Sequence, residues 1–253
     1  MSAFSGRIAL ITGAASGIGA ACARWLAERG IGELVLVDID SDGLAALELP
    51  CPARRHVGDV ADEAFWNGIE AGLGRLDHAI INAGIADGCP IVTQDFAQWR
   101  RMQAVNLDGA FLALRACLRA MVKGNGERSV VLTSSVAGIK PLANTSAYGT
   151  TKAAIAHLAK VAALEHSADG IRINAVAPGR VETPIWTKTA QFRAMIEEHG
   201  SPEKAMAALV AQVSTAERVA QPEDMAAQIG FLLSDAAWTI TGDILVTDCG
   251  FRA

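Results

Sequence analysis

The chain has 253 residues, of which 51% are apolar and 19% charged, a composition far from that of a disordered protein. A formal charge of −5 without any basic run excludes nucleic acid and anionic lipid as expected partners. No apolar run is long enough for a membrane span and no signal-peptide pattern opens the chain, so we expect a cytoplasmic protein.

Short aliphatic runs, most of them closed by Gly, Asp or Asn, alternate with amphipathic stretches, which is the pattern of β-α units in a parallel sheet. Most runs are continuously apolar, as expected for strands covered by helices on both faces. The predicted strands are 7–12, 33–38, 54–57, 76–82, 129–134, 171–177 and 244–247. Apolar residues at helical spacing predict helices at 17–29, 62–73, 94–122, 146–167 and 222–233.

Residues 184–220 interrupt this rhythm, because the segment has the length of a helical hairpin and contains no predicted strand. We interpret it as an insertion over the sheet edge. No internal repeat or flexible linker marks a domain boundary. The sequence therefore predicts one α/β domain over 1–253, a Rossmann-type doubly wound parallel sheet of about seven strands with helices on both faces.

A glycine-rich segment, TGAASGIG at 12–19, joins the first predicted strand to the first predicted helix. Glycines there permit a tight turn, let the backbone approach a pyrophosphate, and present helix N–H groups to it. A glycine trio alone is a weak signal, but its place between strand and helix favours dinucleotide binding. The residues predicted to bind the cofactor here are Gly13, Ser16, Gly17, Ile18 and Gly19.

The second predicted strand ends at Asp38, where a carboxylate can accept hydrogen bonds from the adenosine ribose and repel a 2′-phosphate. The glycine segment also lacks Arg and Lys, and Ala15 stands where a phosphate-binding cation would be useful. We therefore predict NAD rather than NADP as the cofactor. The alternative interpretation is that Asp38 only caps the next turn.

Tyr148 is the only tyrosine, and Lys152 lies four residues later, on the same face of a predicted helix. A phenol has a pKa near 10, and a nearby cation favours its ionised form, as proton transfer near neutrality requires. Ser135 follows a predicted strand and would project from the carboxyl edge of the sheet, where open α/β sheets bind ligands. Without that context, a Tyr-x-x-x-Lys pair is usually a solvated helix face.

These motifs together resemble the short-chain dehydrogenase/reductase family over essentially the whole chain. The matching elements are Thr12-Gly13-x-x-x-Gly17-x-Gly19, Asp59-Val60, Asn82-Ala83-Gly84, Asn106, Ser135, Tyr148-x-x-x-Lys152 and Pro178-Gly179-x-Val181-x-Thr183-Pro184. The resemblance implies an NAD-dependent oxidoreductase that interconverts a secondary alcohol and a ketone by hydride transfer. It needs no metal.

The resemblance also implies a role for each matching residue. Tyr148 is the general acid/base, Ser135 hydrogen-bonds the substrate oxygen, Lys152 holds the nicotinamide ribose and lowers the pKa of Tyr148, and Asn106 completes a water-linked proton relay. The other residues implied to contact the cofactor are Asp59, Val60, Asn82, Ala83, Gly84, Pro178, Gly179, Val181 and Thr183. As alternatives, Asn82 and Asn106 could tie up backbone groups, and Val181 could serve packing alone.

The substrate is less well defined. In the family, the segment after Pro184 closes the pocket, and its apolar residues suggest an apolar or cyclic substrate, although such residues usually face the protein core. Those residues are Ile185, Trp186, Phe192, Met195, Ile196, Met206, Leu209 and Val210. Trp186 is the main candidate for substrate contact. Asp87, Cys89, Lys140 and His199 are weaker candidates, with surface or structural roles as their alternatives.

Two other functions stay open at this point. A dinucleotide-binding sensor or scaffold could keep the fold without catalysis, although Ser135, Tyr148 and Lys152 argue against it. A sugar-nucleotide epimerase or dehydratase would need another glycine spacing and a longer C-terminal substrate domain. The five scattered cysteines form no Cys-x-x-Cys pair, and we interpret them as reduced and mostly structural. By the resemblance, we expect a homotetramer.

Overall fold

A computed structural model describes residues 4–187, 189–211 and 219–251, and gives the backbone alone for 186, 187, 190, 191, 206 and 209–211. Seven parallel strands form one sheet in the order β3-β2-β1-β4-β5-β6-β7. They are β1 (Ile8–Thr12), β2 (Glu33–Asp38), β3 (Ala53–Val57), β4 (His78–Ile81), β5 (Arg128–Thr133), β6 (Ile171–Pro178) and β7 (Ile244–Thr247). The predicted Rossmann-type α/β fold is thereby confirmed.

Ten α-helices connect and cover these strands in the described part of the chain. They are α1 (Gly17–Glu28), α2 (Ser41–Ala46), α3 (Glu63–Leu73), α4 (Phe96–Gln103), α5 (Gly109–Met121), α6 (Ser146–Glu165), α7 (Pro184–Thr187), α8 (Ala190–His199), α9 (Pro202–Ala211) and α10 (Pro222–Leu233). No helix in the described ranges is long and apolar enough to cross a membrane.

The two faces of the sheet bury separate apolar clusters, because successive side chains of a strand point in opposite directions. On one face, Leu10 and Val130 pack with α3, α5 and α6. On the other, Ile11 and Val131 pack with α1 and α10. Strand β5 is buried along its whole length, whereas β3 is partly exposed at the sheet edge. This explains why the central strands are continuously apolar.

The prediction of one continuous α-helix over 94–122 is wrong, because the structure has two α-helices there with a π-helical turn between them. Asp95 accepts a hydrogen bond from the Gln98 N–H at 2.9 Å, and this cap starts α4 at Phe96. A π-helical turn, Ala104–Asp108, then separates α4 from α5. Such wide turns inside helices are frequent at functional sites, and this one contains Asn106.

Two further segments differ from the prediction. Helix α2 has six residues, too few for a periodic apolar pattern, and depends on Asp40, which accepts a hydrogen bond from the Gly43 N–H at 3.0 Å. The predicted hairpin at 184–220 contains three helices, α7, α8 and α9, while residues 212–218 lie outside the described ranges. A β-bridge between Val181 and Ala220 joins the two ends of this segment.

The strand order reverses direction between β1 and β4. The carboxyl ends of neighbouring strands diverge at such a point, and open α/β sheets bind ligands in the crevice there. The glycine-rich segment follows β1, and Asn82 follows β4, so the topology brings both to this crevice.

Candidate active site

A cavity of about 390 Å³ lies at the carboxyl ends of the strands. Most residues predicted to bind the cofactor or catalyse the reaction line it. They are Gly13, Ser16, Gly17, Ile18, Asp38, Asp59, Val60, Asn82, Ala83, Gly84, Ser135, Tyr148, Lys152, Pro178, Gly179, Val181 and Thr183. Gly19 and Asn106 are buried behind the wall, and the side chain of Trp186 lies outside the described atoms.

The turn after β1 requires glycine for two different reasons. Gly13 has φ +68°, and a Cβ there would lie 2.9 Å from the Ala83 Cα. Gly19 lets α1 pack on the turn, since a Cβ at this position would lie 2.0 Å from the Gly13 carbonyl oxygen. The Ser16 side chain makes no capping hydrogen bond at the start of α1. The first N–H groups of that helix therefore suit an anion such as pyrophosphate.

Thr12 fixes the two strands on either side of the crevice. Its Oγ1 accepts hydrogen bonds from the N–H groups of Asn82 at 2.9 Å and Ala83 at 3.0 Å. The Asn82 amide donates in turn to the Thr12 carbonyl at 3.3 Å. These bonds hold the segment after β4 against the glycine turn, which keeps the floor of the crevice in one shape.

The Asp38 carboxylate performs the capping role that the sequence offered as its alternative, and its ribose role stays a prediction. Its Oδ2 accepts a hydrogen bond from the Ala15 N–H at 2.9 Å, and its Oδ1 accepts one from the Asp40 N–H at 3.0 Å. Asp38 therefore braces the adjoining turns while it lines the cavity. A carboxylate has about four acceptor positions, so it retains the capacity to bind ribose hydroxyls.

Arg101 is a cavity residue that the sequence patterns did not indicate. Its Nη1 lies 2.8 Å from Asp59 Oδ2, and the Ala61 N–H donates to Asp59 Oδ1 at 2.9 Å. Burial acts to raise the pKa of Asp59, but these two partners outweigh burial and leave the pKa below its ordinary value. Because the ion pair joins residues 42 positions apart, no local spacing could have revealed it.

Ser135, Tyr148 and Lys152 meet at the end of β5. Ser135 opens a 3₁₀ turn, Val136–Gly138, where its Oγ accepts a hydrogen bond from the Ala137 N–H at 3.2 Å. Its side chain also lies close enough to the half-buried Tyr148 to affect the pKa of that phenol. Lys152 is 4% exposed, and its Nζ donates to the Thr133 carbonyl at 2.8 Å and lies 5.7 Å from the centroid of the Tyr148 ring.

The pKa of Tyr148 is shifted in the opposite direction from the one expected from its i, i+4 spacing to Lys152. Burial raises the pKa of Tyr148, while the nearby Ser135 side chain acts to lower it. Burial also lowers the pKa of Lys152 to about 8. In the protein alone, desolvation thus outweighs any lowering of the Tyr148 pKa by Lys152.

Asn106 holds the segment after Gly84 through its side chain. Its Oδ1 accepts from the Ile85 N–H at 2.8 Å, and its Nδ2 donates to the Ile85 carbonyl at 2.9 Å. The same Nδ2 lies 3.3 Å from Thr151 Oγ1 on α6. The alternative role predicted for Asn106, satisfying backbone groups, is therefore present, and the proton relay stays a prediction.

The weaker substrate candidates do not line the described cavity. Asp87 accepts a hydrogen bond from the Gln98 amide at 2.6 Å. The Cys89 thiol donates one to the Gln94 amide oxygen at 3.2 Å. Lys140 donates to the Phe251 carbonyl at 3.1 Å. His199, Met195 and Ile196 lie partly exposed on α8, and Phe192 is buried there. The side chains of Met206, Leu209 and Val210, like that of Trp186, lie outside the described atoms.

Several lining residues were not predicted to be functional. Some directly follow predicted ones at strand ends, and that position alone could have indicated them. The unpredicted residues are Ile39, Asp40, Gly58, Ile85, Ala86, Arg101, Val105, Thr133, Ser134 and Pro184. Ile185, which was predicted as part of the segment that closes the pocket, also lines the cavity. The Thr133 hydroxyl is buried without a hydrogen-bond partner, which marks a position where a bound molecule can supply one.

Comparison with known proteins identifies relatives over the full length. A family model described as enoyl-(acyl carrier protein) reductase matches residues 13–252. The chain is 38% identical to cis-4-hydroxycyclohexanecarboxylate dehydrogenase of Sinomonas cyclohexanicum, covering 99% of this chain and 98% of the relative. It is 35% identical to 2,5-dichloro-2,5-cyclohexadiene-1,4-diol dehydrogenase of Sphingobium indicum, covering 98% and 96% of the two chains.

A solved structure shows the same fold. L-sorbose reductase from Gluconobacter frateurii, in complex with NADPH and L-sorbose, superposes with a TM-score of 0.90 at 26% identity, over 99% of this chain and 98% of that one. The named relatives are dehydrogenases and reductases, and the chain is an oxidoreductase acting on alcohols or ketones with a nicotinamide dinucleotide. The sequence motifs, the parallel sheet and these full-length matches establish that the chain belongs to the short-chain dehydrogenase/reductase family.

Proposed function

We propose that the protein is an NAD-dependent dehydrogenase that interconverts a cyclic secondary alcohol and its ketone, with Tyr148 as general acid/base. The observation that carries this proposal is the meeting of Ser135, Tyr148 and Lys152 in the cavity that also contains the glycine turn and Asp38. Proton-transferring and cofactor-binding groups thereby share one site.

The residues of the cavity form two groups, one that would hold the dinucleotide and one that would move the proton. The N–H groups of α1, with Gly13, Ser16, Gly17 and Ile18, would hold the pyrophosphate of the dinucleotide. When bound, the nicotinamide accepts or donates the hydride. The chain itself manages the proton: Ser135 orients the substrate oxygen, and the Tyr148 oxygen removes the hydroxyl proton during oxidation or returns it during reduction.

The remaining implied contacts fit the same arrangement. Asp59 and Val60 would contact adenine, and Lys152 the nicotinamide ribose. Asn106 would support the proton relay from behind the wall, and Gly19 would support the pyrophosphate turn. The residues that would line the nicotinamide half of the cavity are Asn82, Ala83, Gly84, Pro178, Gly179, Val181 and Thr183.

The preference for NAD over NADP is supported by the Asp38 carboxylate. A 2′-phosphate would meet a negative charge that two backbone N–H groups already hold in place. Arg101 also lines the cavity, but its guanidinium lies 2.8 Å from the Asp59 carboxylate and is therefore already paired with an anion. The relative solved with NADPH shows that the fold can accept a 2′-phosphate, so the charge at Asp38 is the deciding feature in this proposal.

The proposed substrate class is a six-membered carbocyclic alcohol or ketone. Two relatives at 38% and 35% identity are named for a hydroxycyclohexanecarboxylate and a dichlorocyclohexadiene diol. The cavity walls contribute the apolar side chains of Ile85, Val105 and Ile185. We further propose that 1–253 is one NAD-binding domain and that 184–220, including Trp186, caps the substrate.

Two outcomes test this function directly. Protein incubated with NAD and a panel of cyclic alcohols, diols, hydroxysteroids, sugars and hydroxy acids should form NADH, and Tyr148→Phe should abolish turnover while NAD binding stays nearly intact. Turnover of the variant within a few-fold of the native protein would remove Tyr148 from its role. A dinucleotide-binding sensor would bind NAD and oxidise no member of the panel.

The cofactor preference has its own test. Asp38→Ala should narrow the ratio of kcat/KM for NAD over NADP by about tenfold or more, because it removes the repulsive carboxylate. Asp42→Ala, an exposed acidic residue on α2, is the matched control and should leave the ratio unchanged. Native protein that already prefers NADP would contradict the proposal.

Assembly and location complete the proposal. Large apolar side chains are exposed on α5 and α6 at Phe111, Val161 and Leu164, and elsewhere at Phe231 and Trp238. Faces of this kind suit association of copies, and we propose a homotetramer, which light scattering after gel filtration would test. The five cysteines are free, as suits the proposed reducing cytoplasm, which cell fractionation would test.

A further inference from the structure

The turn that carries Ser135 is joined to α6 by close contacts at Lys152. The Ser134 hydroxyl donates a hydrogen bond to the Lys152 carbonyl at 2.7 Å, and Ser134 is 2% exposed. Gly138 packs directly on the same stretch of helix, since a Cβ there would lie 2.6 Å from the Lys152 carbonyl carbon. Gly149 is similarly close, with its virtual Cβ 2.9 Å from the Ala137 carbonyl oxygen.

Lys152 is thus held at both ends by consecutive residues of β5 and its turn. Its main chain is bound by the Ser134 hydroxyl, and its ammonium by the Thr133 carbonyl at 2.8 Å. The next residue, Ser135, lines the same cavity as Tyr148 and lies close enough to act on the pKa of that phenol. One short segment therefore carries Ser135 and also holds Lys152, one helical turn after Tyr148.

The N-terminus of α6 has no side-chain cap. Thr145 occupies the N-cap position but makes no side-chain capping bond, and its hydroxyl donates to the Leu142 carbonyl at 2.8 Å instead. Tyr148 and Lys152 lie within the first two turns after that uncapped end. Helix ends without caps fray more easily, so precise placement of Tyr148 needs a tether from outside the helix.

We infer that Ser134 is a positioning residue, whose hydroxyl sets the distance between the Ser135 turn and the helix that carries Tyr148 and Lys152. The inference rests on the proposed function, because it assigns Ser134 a part in the same proton transfer. Ser135 and Tyr148 must share one substrate oxygen within hydrogen-bonding distance. Since displacement of reacting groups by about 1 Å can cost about 100-fold in rate, loss of this tether affects the chemical step.

Ser134→Ala should lower kcat by about tenfold, the effect of one hydrogen bond lost at a positioned group. The KM for the alcohol and the Kd for NADH should stay within about twofold, because Ser134 is only 2% exposed in the cavity wall and the glycine turn is unchanged. The matched control is Thr150→Ala. Thr150 also donates its hydroxyl to a carbonyl of α6, that of Ser146 at 2.7 Å, but it is exposed and bonds within the helix.

A second readout needs no substrate, because Tyr148 is the only tyrosine in the chain. The near-ultraviolet absorbance of phenolate during an alkaline titration of the native protein therefore reports Tyr148 alone, with Tyr148→Phe as the blank. In Ser134→Ala, the looser contact between Ser135 and Tyr148 should move this titration to higher pH by about half a unit. Thr150→Ala should leave it in place.

Ser134→Thr separates the hydroxyl from mere packing and covers the case in which the alanine variant does not fold. It keeps the donor and should retain kcat and the Tyr148 titration of the native protein. A Ser134→Ala protein with lowered thermal stability but unchanged kcat and an unchanged Tyr148 titration would overturn the inference. A folded Ser134→Thr protein with tenfold lower kcat and a shifted Tyr148 titration would overturn it too. If the native protein oxidises no alcohol, the proposed function fails, whereas the titration still decides whether Ser134 positions Tyr148.

Discussion

His78 makes the stability of the protein sensitive to acid. The ring is 2% exposed on β4, and its Nδ1 lies 2.9 Å from Ser129 Oγ. Ser129 donates its own proton to the Leu233 carbonyl at 2.9 Å, so Nδ1 must carry the proton of the neutral ring. Nε2 is buried without a hydrogen-bond partner. A second proton on this ring would therefore enter an apolar site beside Phe4, whose ring centroid lies 5.5 Å away.

The magnitude follows from the pKa. Burial, helped by the positive charges of Arg7 and Arg172 and opposed by Asp77, lowers the pKa of His78 from 6.5 to about 4. Unfolded chain takes up the proton below pH 6.5, whereas folded protein does so only near pH 4. Stability is therefore fully present above pH 6.5 and is lost as the pH falls toward 4, by about 3 kcal/mol in total.

Urea unfolding at fixed protein concentration, measured at a series of pH values between about 7 and 4, tests this dependence. Other groups titrate in the same range, so the decisive quantity is the difference between native protein and His78→Asn. The asparagine amide can still donate to Ser129, and its cavity cost does not depend on pH. The difference should shrink by about 3 kcal/mol over the range.

His157→Asn, at an exposed position of α6, is the matched control and should run parallel to the native protein. A native-minus-His78→Asn difference that changes by less than about 1 kcal/mol between pH 7 and pH 4 would refute the burial argument.

Three further predictions concern the cofactor site and the packing of α10. Gly13→Ala should raise the Kd for NADH in a fluorescence titration by about tenfold or more, because the new methyl group would lie 2.9 Å from the Ala83 Cα. Gly72→Ala, a position with open space around it, is the control. Equal Kd values for the two variants would contradict the prediction. Binding of NADH should weaken as the pH rises through about 8, where Lys152 loses its charge; a constant Kd from pH 7 to 9 would speak against it. Arg172→Met should lower the free energy of unfolding in urea by about 2 kcal/mol, because the Arg172 guanidinium donates to the three carbonyls that end α10; a loss below about 0.5 kcal/mol would show that water replaces it.

Much of the fold was predictable because the strands of this sheet are buried on both faces, and burial requires apolar side chains along the whole strand. Strands enclosed on both faces must be continuously apolar, and the runs that contain Leu10, Leu36 and Val131 show this directly. Helix α2 was not predictable by the same signal, because six residues hold less than two turns. The π turn at Asn106 depends on bonds to Ile85 across the fold, which local periodicity does not encode.

The candidate site was likewise predictable only where it depends on local sequence. Glycine spacing, the strand-end Asp38 and the Tyr148–Lys152 pair predicted most of the cavity wall, because these features follow from local geometry. The Asp59–Arg101 ion pair and the bond between Ser134 and Lys152 join distant parts of the chain. The direction of the Tyr148 pKa was missed for a similar reason: the i, i+4 spacing describes charge proximity but says nothing about how deeply the tertiary structure buries the phenol.

Strand β5 separates the two titrating regions of the molecule. Ser129, beside His78, stands near its beginning, and Ser134, beside Lys152, directly follows its end. Five residues of extended chain span about 17 Å, and at that separation two unit charges interact by only about 1 kcal/mol at an effective dielectric constant of about 20. This is smaller than the loss of about 3 kcal/mol that acid causes through the burial of His78, so separate groups set most of the acid sensitivity of folding and of turnover.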